Sequence, residues 1–236
     1  MTARDAYLPE GLGALLDLGG PVVMLLLLMS VVAVALVLWK LMQFRRAAVG
    51  RHAELAAALA ELDRGRVTAA LRQAGESPSH LAPLTIVALG ASQEPAATEA
   101  LRARLTGLAE AAIARLQSGF RALDSIAQVA PLLGLFGTVL GMISAFQSLQ
   151  EAGAAVDPAA LAGGIWVALL TTAVGLGVAM PAALALTWLE SRVARESRMA
   201  MQIIDVALYA GLAPPTEVSA RHPAEGALPD RAARHV

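Results

Sequence analysis

Two threonines sit in long apolar runs among side chains too small to keep a neighbouring helix away: Thr138 within Pro131–Ala145 (PLLGLFGTVLGMISA) and Thr172 within Gly163–Ala183 (GGIWVALLTTAVGLGVAMPAA). On an α-helix Gly134, Thr138, Gly141 and Ala145 follow one another at four-, three- and four-residue steps and share a face. Ala168, Thr172, Gly175 and Ala179 repeat that stripe. Small residues let helix backbones approach closely in lipid, where apolar side chains gain little by leaving the tails. A hydroxyl inside such a contact can donate one hydrogen bond and accept two, which makes the packed helices the lining of a polar path. The plainer alternative is that each hydroxyl bonds the carbonyl one turn back on its own helix. Thr171 points about 100° away from Thr172 around the helix axis, and Thr187 lies near one end of its run, so both read as packing residues.

Neither run contains an ionisable side chain. Proton passage usually requires one at depth, because such a group is costly in lipid and is kept where it carries charge. Pro131 and Pro181 each free a backbone carbonyl, but carbonyls and hydroxyls do not take up and release a proton near neutral pH. Any titrating carboxylate must therefore come from another chain. The absence of cysteine excludes disulfides, thiolate metal sites and cysteine nucleophiles. His52, His80, His222 and His235 lie outside the apolar runs without ligand spacing and read as surface residues, so no metal site and no cofactor are expected. Nothing pairs a nucleophile with a base, so no catalytic residue is assigned and an enzyme is the weakest reading. A net charge of −1 gives no reason to expect nucleic acid.

These threonines need helices to position them, and the composition supplies helices. With 57% hydrophobic and 16% charged residues and a mean hydropathy of +0.61, too few polar groups exist to clothe a water-facing surface. Aromatics at 4% are too scarce for the girdles of an outer-membrane barrel. The expected class is an all-α membrane protein with three transmembrane helices, at 19–41, 126–149 and 162–189. Lys40, Arg45, Arg46 and Arg51 follow the first run whereas only Arg4 precedes it, which by the positive-inside bias places the amino terminus outside the cytoplasm. A cleaved signal peptide is disfavoured, since Asp5, Glu10 and Asp17 precede the run and no small-residue cleavage site follows it. Residues 1–18 and 150–161 are then periplasmic, 42–125 form a helical cytoplasmic domain, 190–212 extend the third span into the cytoplasm, and 213–236 form a disordered tail. Leu101, Leu105, Leu108, Ala112 and Leu116 recur at three- and four-residue steps. They predict one long helix over 97–150, about 80 Å at 1.5 Å per residue, with Pro131 a candidate for a kink.

The two quoted spans, with a large loop after the first, resemble the ExbB/TolQ/MotA proton-channel family, closest to its ExbB branch, from about Gly19 to Tyr209. MotA-like members have four spans and a different loop layout, so three spans favour ExbB or TolQ. The resemblance implies a ring, a homopentamer of this subunit in the bacterial inner membrane. It would enclose the single-span helices of an ExbD- or TolR-like partner whose membrane aspartate takes the proton, and it would work with a TonB-like protein to energise outer-membrane transport. Thr138 and Thr172 match the family's pore-facing threonines, while Gly134, Gly141, Ala145, Ala168, Gly175, Ala179, Pro131 and Pro181 serve helix packing. Val167 stands where the family commonly carries a glutamate. The alternatives are a TolQ-like role in envelope constriction and a passive membrane scaffold.

Overall fold

Alanine and leucine fill the chain between its glycines and prolines, and such side chains lose little freedom in a helix. A computed structural model describes residues 10–91, 99–152 and 158–210. The expected periplasmic segment before residue 10, the centre of the loop at 150–161 and the tail beyond 210 lie outside the described residues. The described elements are α1 (Glu10–Arg46), α2 (Ala53–Asp63), α3 (Val67–Glu76), α4 (Ala82–Ala91), α5 (Glu99–Gln117), α6 (Phe120–Ala152) and α7 (Pro158–Ala210). Three stretches are long and apolar enough to cross a membrane: Gly20–Arg46, Phe120–Glu151 and Leu161–Tyr209. The described residues are thus all helical, and their three long apolar helices fit a membrane protein. α1 bends into its span at Gly20, where φ is 60° and ψ −161°, a backbone that favours glycine.

The polar segments fold onto the far end of α7. Leu55, Leu59 and Leu62 of α2, Leu84 and Leu89 of α4 and Leu105 of α5 share one core with Ala200, Ile203, Ile204 and Ala207 of α7. Burying a leucine or isoleucine fully contributes about 1.5–3 kcal/mol, so this end of α7 is held by packing along the face that carries Ala200, Ile203, Ile204 and Ala207. That accounts for its 53 residues, a length of about 80 Å at 1.5 Å per residue against a hydrocarbon core of roughly 30 Å.

The single helix expected over 97–150 is not formed. The chain breaks between Gln117 and Phe120, where Gly119 takes a φ of 81°. The apolar periodicity continues across the break, so the cause is tertiary and comes from α1. Lys40 is 2% exposed. Its Nζ donates to the Leu116 carbonyl at 3.0 Å, to Ser118 Oγ at 3.1 Å and to Gln43 Oε1 at 2.6 Å, and so caps the end of α5 with a positive charge. The Trp39 ring lies 3.3 Å from where a Cβ on Gly119 would stand, a tight approach that adds to the left-handed backbone in favouring glycine.

Lys40→Met keeps the buried stem and removes all three donors. It is expected to destabilise the protein by about 1–3 kcal/mol by stranding the Leu116 carbonyl, a loss of about 2–4 °C in Tm per kcal/mol. Thermal unfolding in detergent checks this, and an unchanged Tm would show that the capping contact carries no stability.

Candidate functional site

The two stripes meet. α6 and α7 run antiparallel, with Ala130 beside Gly175, Gly134 beside Thr171 and Thr172, Gly141 beside Ala168 and Ala145 beside Gly164. The approach is backbone on backbone. A Cβ on Gly175 would stand 2.6 Å from the Ala130 carbonyl oxygen, one on Gly141 2.8 Å from the Ala168 Cβ, and one on Gly134 3.0 Å from the Thr172 Cα. Such distances leave no room for any side chain, which is how glycine joins membrane helices. Ala179 is buried with Leu26 and Ala130, where α1 joins the pair. Pro131 and Pro181 lie inside α6 and α7. Pro181 is exposed and lines a shallow cavity between α1 and α7 with Ser30, Ala33 and Gly177.

The close approach decides what the threonines can do. Thr172 is half-buried and its Oγ1 donates to the Gly134 carbonyl across the helix pair at 3.1 Å. The side chain that shares this carbonyl is that of Thr171, whose Oγ1 lies 3.3 Å from it. Thr138 is also half-buried, and its Oγ1 donates to Leu135 on its own helix at 2.6 Å. Each hydroxyl proton is thus already engaged, and the free lone pairs make both groups ready acceptors. Thr171 differs. It is 3% exposed, and its Oγ1 lies 2.7 Å from the Ala168 carbonyl and 3.3 Å from that of Gly134, which is the geometry of a packing residue. Thr187 is exposed and bonds Ala183 on its own helix at 3.0 Å.

No Asp, Glu, Lys, Arg or His occurs between Ser125 and Gln150 or between Pro158 and Leu189. The helix pair offers a strip of hydroxyls and no titrating group. Large apolar side chains stand out from the same helices, with Leu132 at 64% and Trp166 at 64% exposed. A surface of this kind requires lipid or further subunits to cover it.

A sequence model of the MotA/TolQ/ExbB proton channel family matches residues 67–202, which include both threonines. The chain belongs to that family. Within it, the chain is 46% identical over 68 residues to Biopolymer transport protein exbB1 of Vibrio cholerae serotype O1, covering 29% of this chain and 30% of that one. It is 47% identical over 75 residues to Biopolymer transport protein ExbB of Neisseria gonorrhoeae, covering 32% and 34%. Against Biopolymer transport protein ExbB of Xanthomonas campestris pv. campestris the identity is 43% over 72 residues, covering 30% and 28%. The chain thus spans about a third of the length of each of these relatives. ExbB members of the MotA/TolQ/ExbB family are what it resembles most consistently.

Two features escaped sequence reasoning. Gly137 and Gly164 join the helix contact, the former with its absent Cβ 2.7 Å from Thr171 Oγ1 and the latter 2.8 Å from the Ala145 Cβ. Their membership of the glycine series was the available signal. His52 and His80, read as surface residues, are a correction: their side chains are only 22% and 14% exposed and they lie against Glu196, which is itself 1% exposed. Nothing local announces that contact, since the partners are 144 and 116 residues apart in the chain.

Proposed function

We propose that this chain is an ExbB-like subunit of a proton-driven motor in the bacterial inner membrane, with its amino terminus periplasmic and the α2–α5 domain cytoplasmic. Five copies surround the single-span helices of an ExbD-like partner whose membrane aspartate carries the proton, and the assembly energises TonB-dependent outer-membrane transport. The observation that carries this reading is the helix pair itself: two half-buried threonines, Thr172 bonded across the pair to the Gly134 carbonyl and Thr138 to Leu135 on its own helix, in stretches (125–150 and 158–189) without any acid or base. A wall of acceptors without a titrating group serves a proton carried by something else.

The engaged hydroxyls refine the mechanism. A protonated aspartic acid on the partner can donate to Thr172 as the hydroxyl stands. A charged aspartate requires that hydroxyl to turn away from Gly134, at a cost of about 0.6–2 kcal/mol for one interhelical hydrogen bond. Each charge crossing the membrane is worth about 2.3 kcal/mol per 100 mV, enough to drive such exchanges in one direction. Neutralisation of one aspartate lowers the penalty for passing the apolar wall while the other stays bound, and the inner helix pair turns.

The test is proton flux into liposomes under an imposed potential. The chain together with an ExbD-like partner is expected to conduct, the chain alone is not, and replacing the partner's membrane aspartate by asparagine is expected to reduce flux to background. Equal flux from the chain alone would place the path inside this subunit. No flux in any combination would favour the scaffold reading, for which Val167 in place of an acid is the supporting feature.

A further inference from the structure

A buried carboxylate that this mechanism does not use lies on α7, 24 residues beyond Thr172 and so about 36 Å along the helix at 1.5 Å per residue. Glu196 Oε1 accepts the Gly50 backbone N–H at 2.7 Å and lies 3.0 Å from His52 Nε2. Among the described residues its Oε2 has no hydrogen-bond partner, and it faces His80 Nδ1 at 3.6 Å. His80 donates its backbone N–H to the Ala47 carbonyl at 3.1 Å, while neither of its ring nitrogens is hydrogen-bonded among the described residues. One carboxylate therefore joins the α1–α2 turn, the α3–α4 turn and α7. Two further charged groups stand on the elements packed here. Arg192, one turn earlier on α7, sets its guanidinium 5.2 Å from the Trp188 ring, with Nη1 3.4 Å from where a Gly50 Cβ would stand. Glu54 is in the first turn of α2, and its Oε2 is buried without a partner among the described residues.

We propose that Glu196, His52 and His80 form an acid-opened lock that holds α7 against the two turns and so sets the position of the helix carrying Thr172. Its regulatory meaning rests on the proton-motor reading: protons delivered to the cytoplasm would release the helix that helped deliver them. His52 lies 3.0 Å from the carboxylate through Nε2 and joins the α1–α2 turn to α7. Among the described residues no hydrogen bond reaches the His80 ring, and burial holds its imidazole below the ordinary value of 6.5 against the opposing pull of Glu196. When the lock opens, water restores the ordinary value, so the open form binds the proton more tightly. The contribution of His80 to closing is therefore complete above pH 6.5 and is lost as pH falls below it.

Hydrogen exchange at the Gly50 and His80 amides reads the lock directly, because both are bonded across it. The full chain in lipid nanodiscs, without partner or gradient, is compared at pH 7.5 and 5.5 after correction for intrinsic rates. Opening is expected to rise up to about tenfold at the lower pH, the factor set by one histidine titrating at 6.5 in the open form alone. His80→Gln should flatten the response, and His52→Gln should preserve it. A wild-type response that is flat, or one unchanged in His80→Gln, overturns the proposal. In the wild-type chain the His80 ring resonance should titrate below 6.5, and a midpoint above that value also overturns it. None of these readings depends on whether the chain conducts, so the lock and the motor fail separately.

Discussion

Thr172→Val is expected to reduce proton-driven transport to background while leaving the subunit folded and assembled with its partner. Valine keeps the branched shape and removes the hydroxyl that donates to Gly134 at 3.1 Å. The structural loss is one interhelical hydrogen bond, about 0.6–2 kcal/mol, small beside the core that holds α7 at its far end. Under the proposed mechanism the functional loss would be complete, because the partner's acid would then meet an apolar wall at that point. Thr171→Val is the matched control. Its hydroxyl is buried and serves carbonyls of its own and the neighbouring helix, so the substitution should lower stability by a similar amount and retain most transport. The pair is measured by uptake in cells and by thermal stability of the purified complex. Equal transport losses in the two variants would remove the special role of Thr172.

The second large effect concerns the seam. Gly175→Ala places a methyl 2.6 Å from the Ala130 carbonyl oxygen and 3.1 Å from the Gly134 Cα, both backbone atoms with no side chain to swing aside. α6 and α7 must separate, at a cost of about 1–3 kcal/mol by analogy with overpacked cores. The Thr172 to Gly134 bond, which spans the same contact, is stretched with it. Both stability and proton-driven transport should fall. Gly177→Ala, two residues further on, meets nothing within 4 Å and should be neutral or stabilising by up to about 1 kcal/mol, as expected for glycine to alanine within a helix. The difference in Tm between the two alanine variants measures the seam, and similar values would show that the helices are not fixed there.

What could be read from the chain alone follows the range of the forces involved. The spans were legible because mean apolarity over some twenty residues needs no knowledge of neighbours. The stripes Gly134–Ala145 and Ala168–Ala179 were legible because helical spacing fixes which residues share a face. That Thr171 and Thr172 both reach one carbonyl was not, since it depends on how far the helices sink into each other at Gly134 and Gly175. The break at Gly119 was hidden for the same reason: leucines at helical spacing pass through it, and the deciding groups, Trp39 and Lys40, lie on another helix. The dipeptide Ser118–Gly119 was the only local sign. His52 and His80 were misread because a histidine's surroundings are set by tertiary contacts, here with a carboxylate on α7.

The central claim is that Thr138 and Thr172 line a conduit whose acid belongs to a partner helix. A single-particle image of this chain purified with an ExbD-like partner tests it most directly. The account predicts partner helices in a central space, with their aspartate beside Thr138 and Thr172 of the surrounding subunits. Both threonines facing lipid, around no cavity wide enough for a helix, would contradict it.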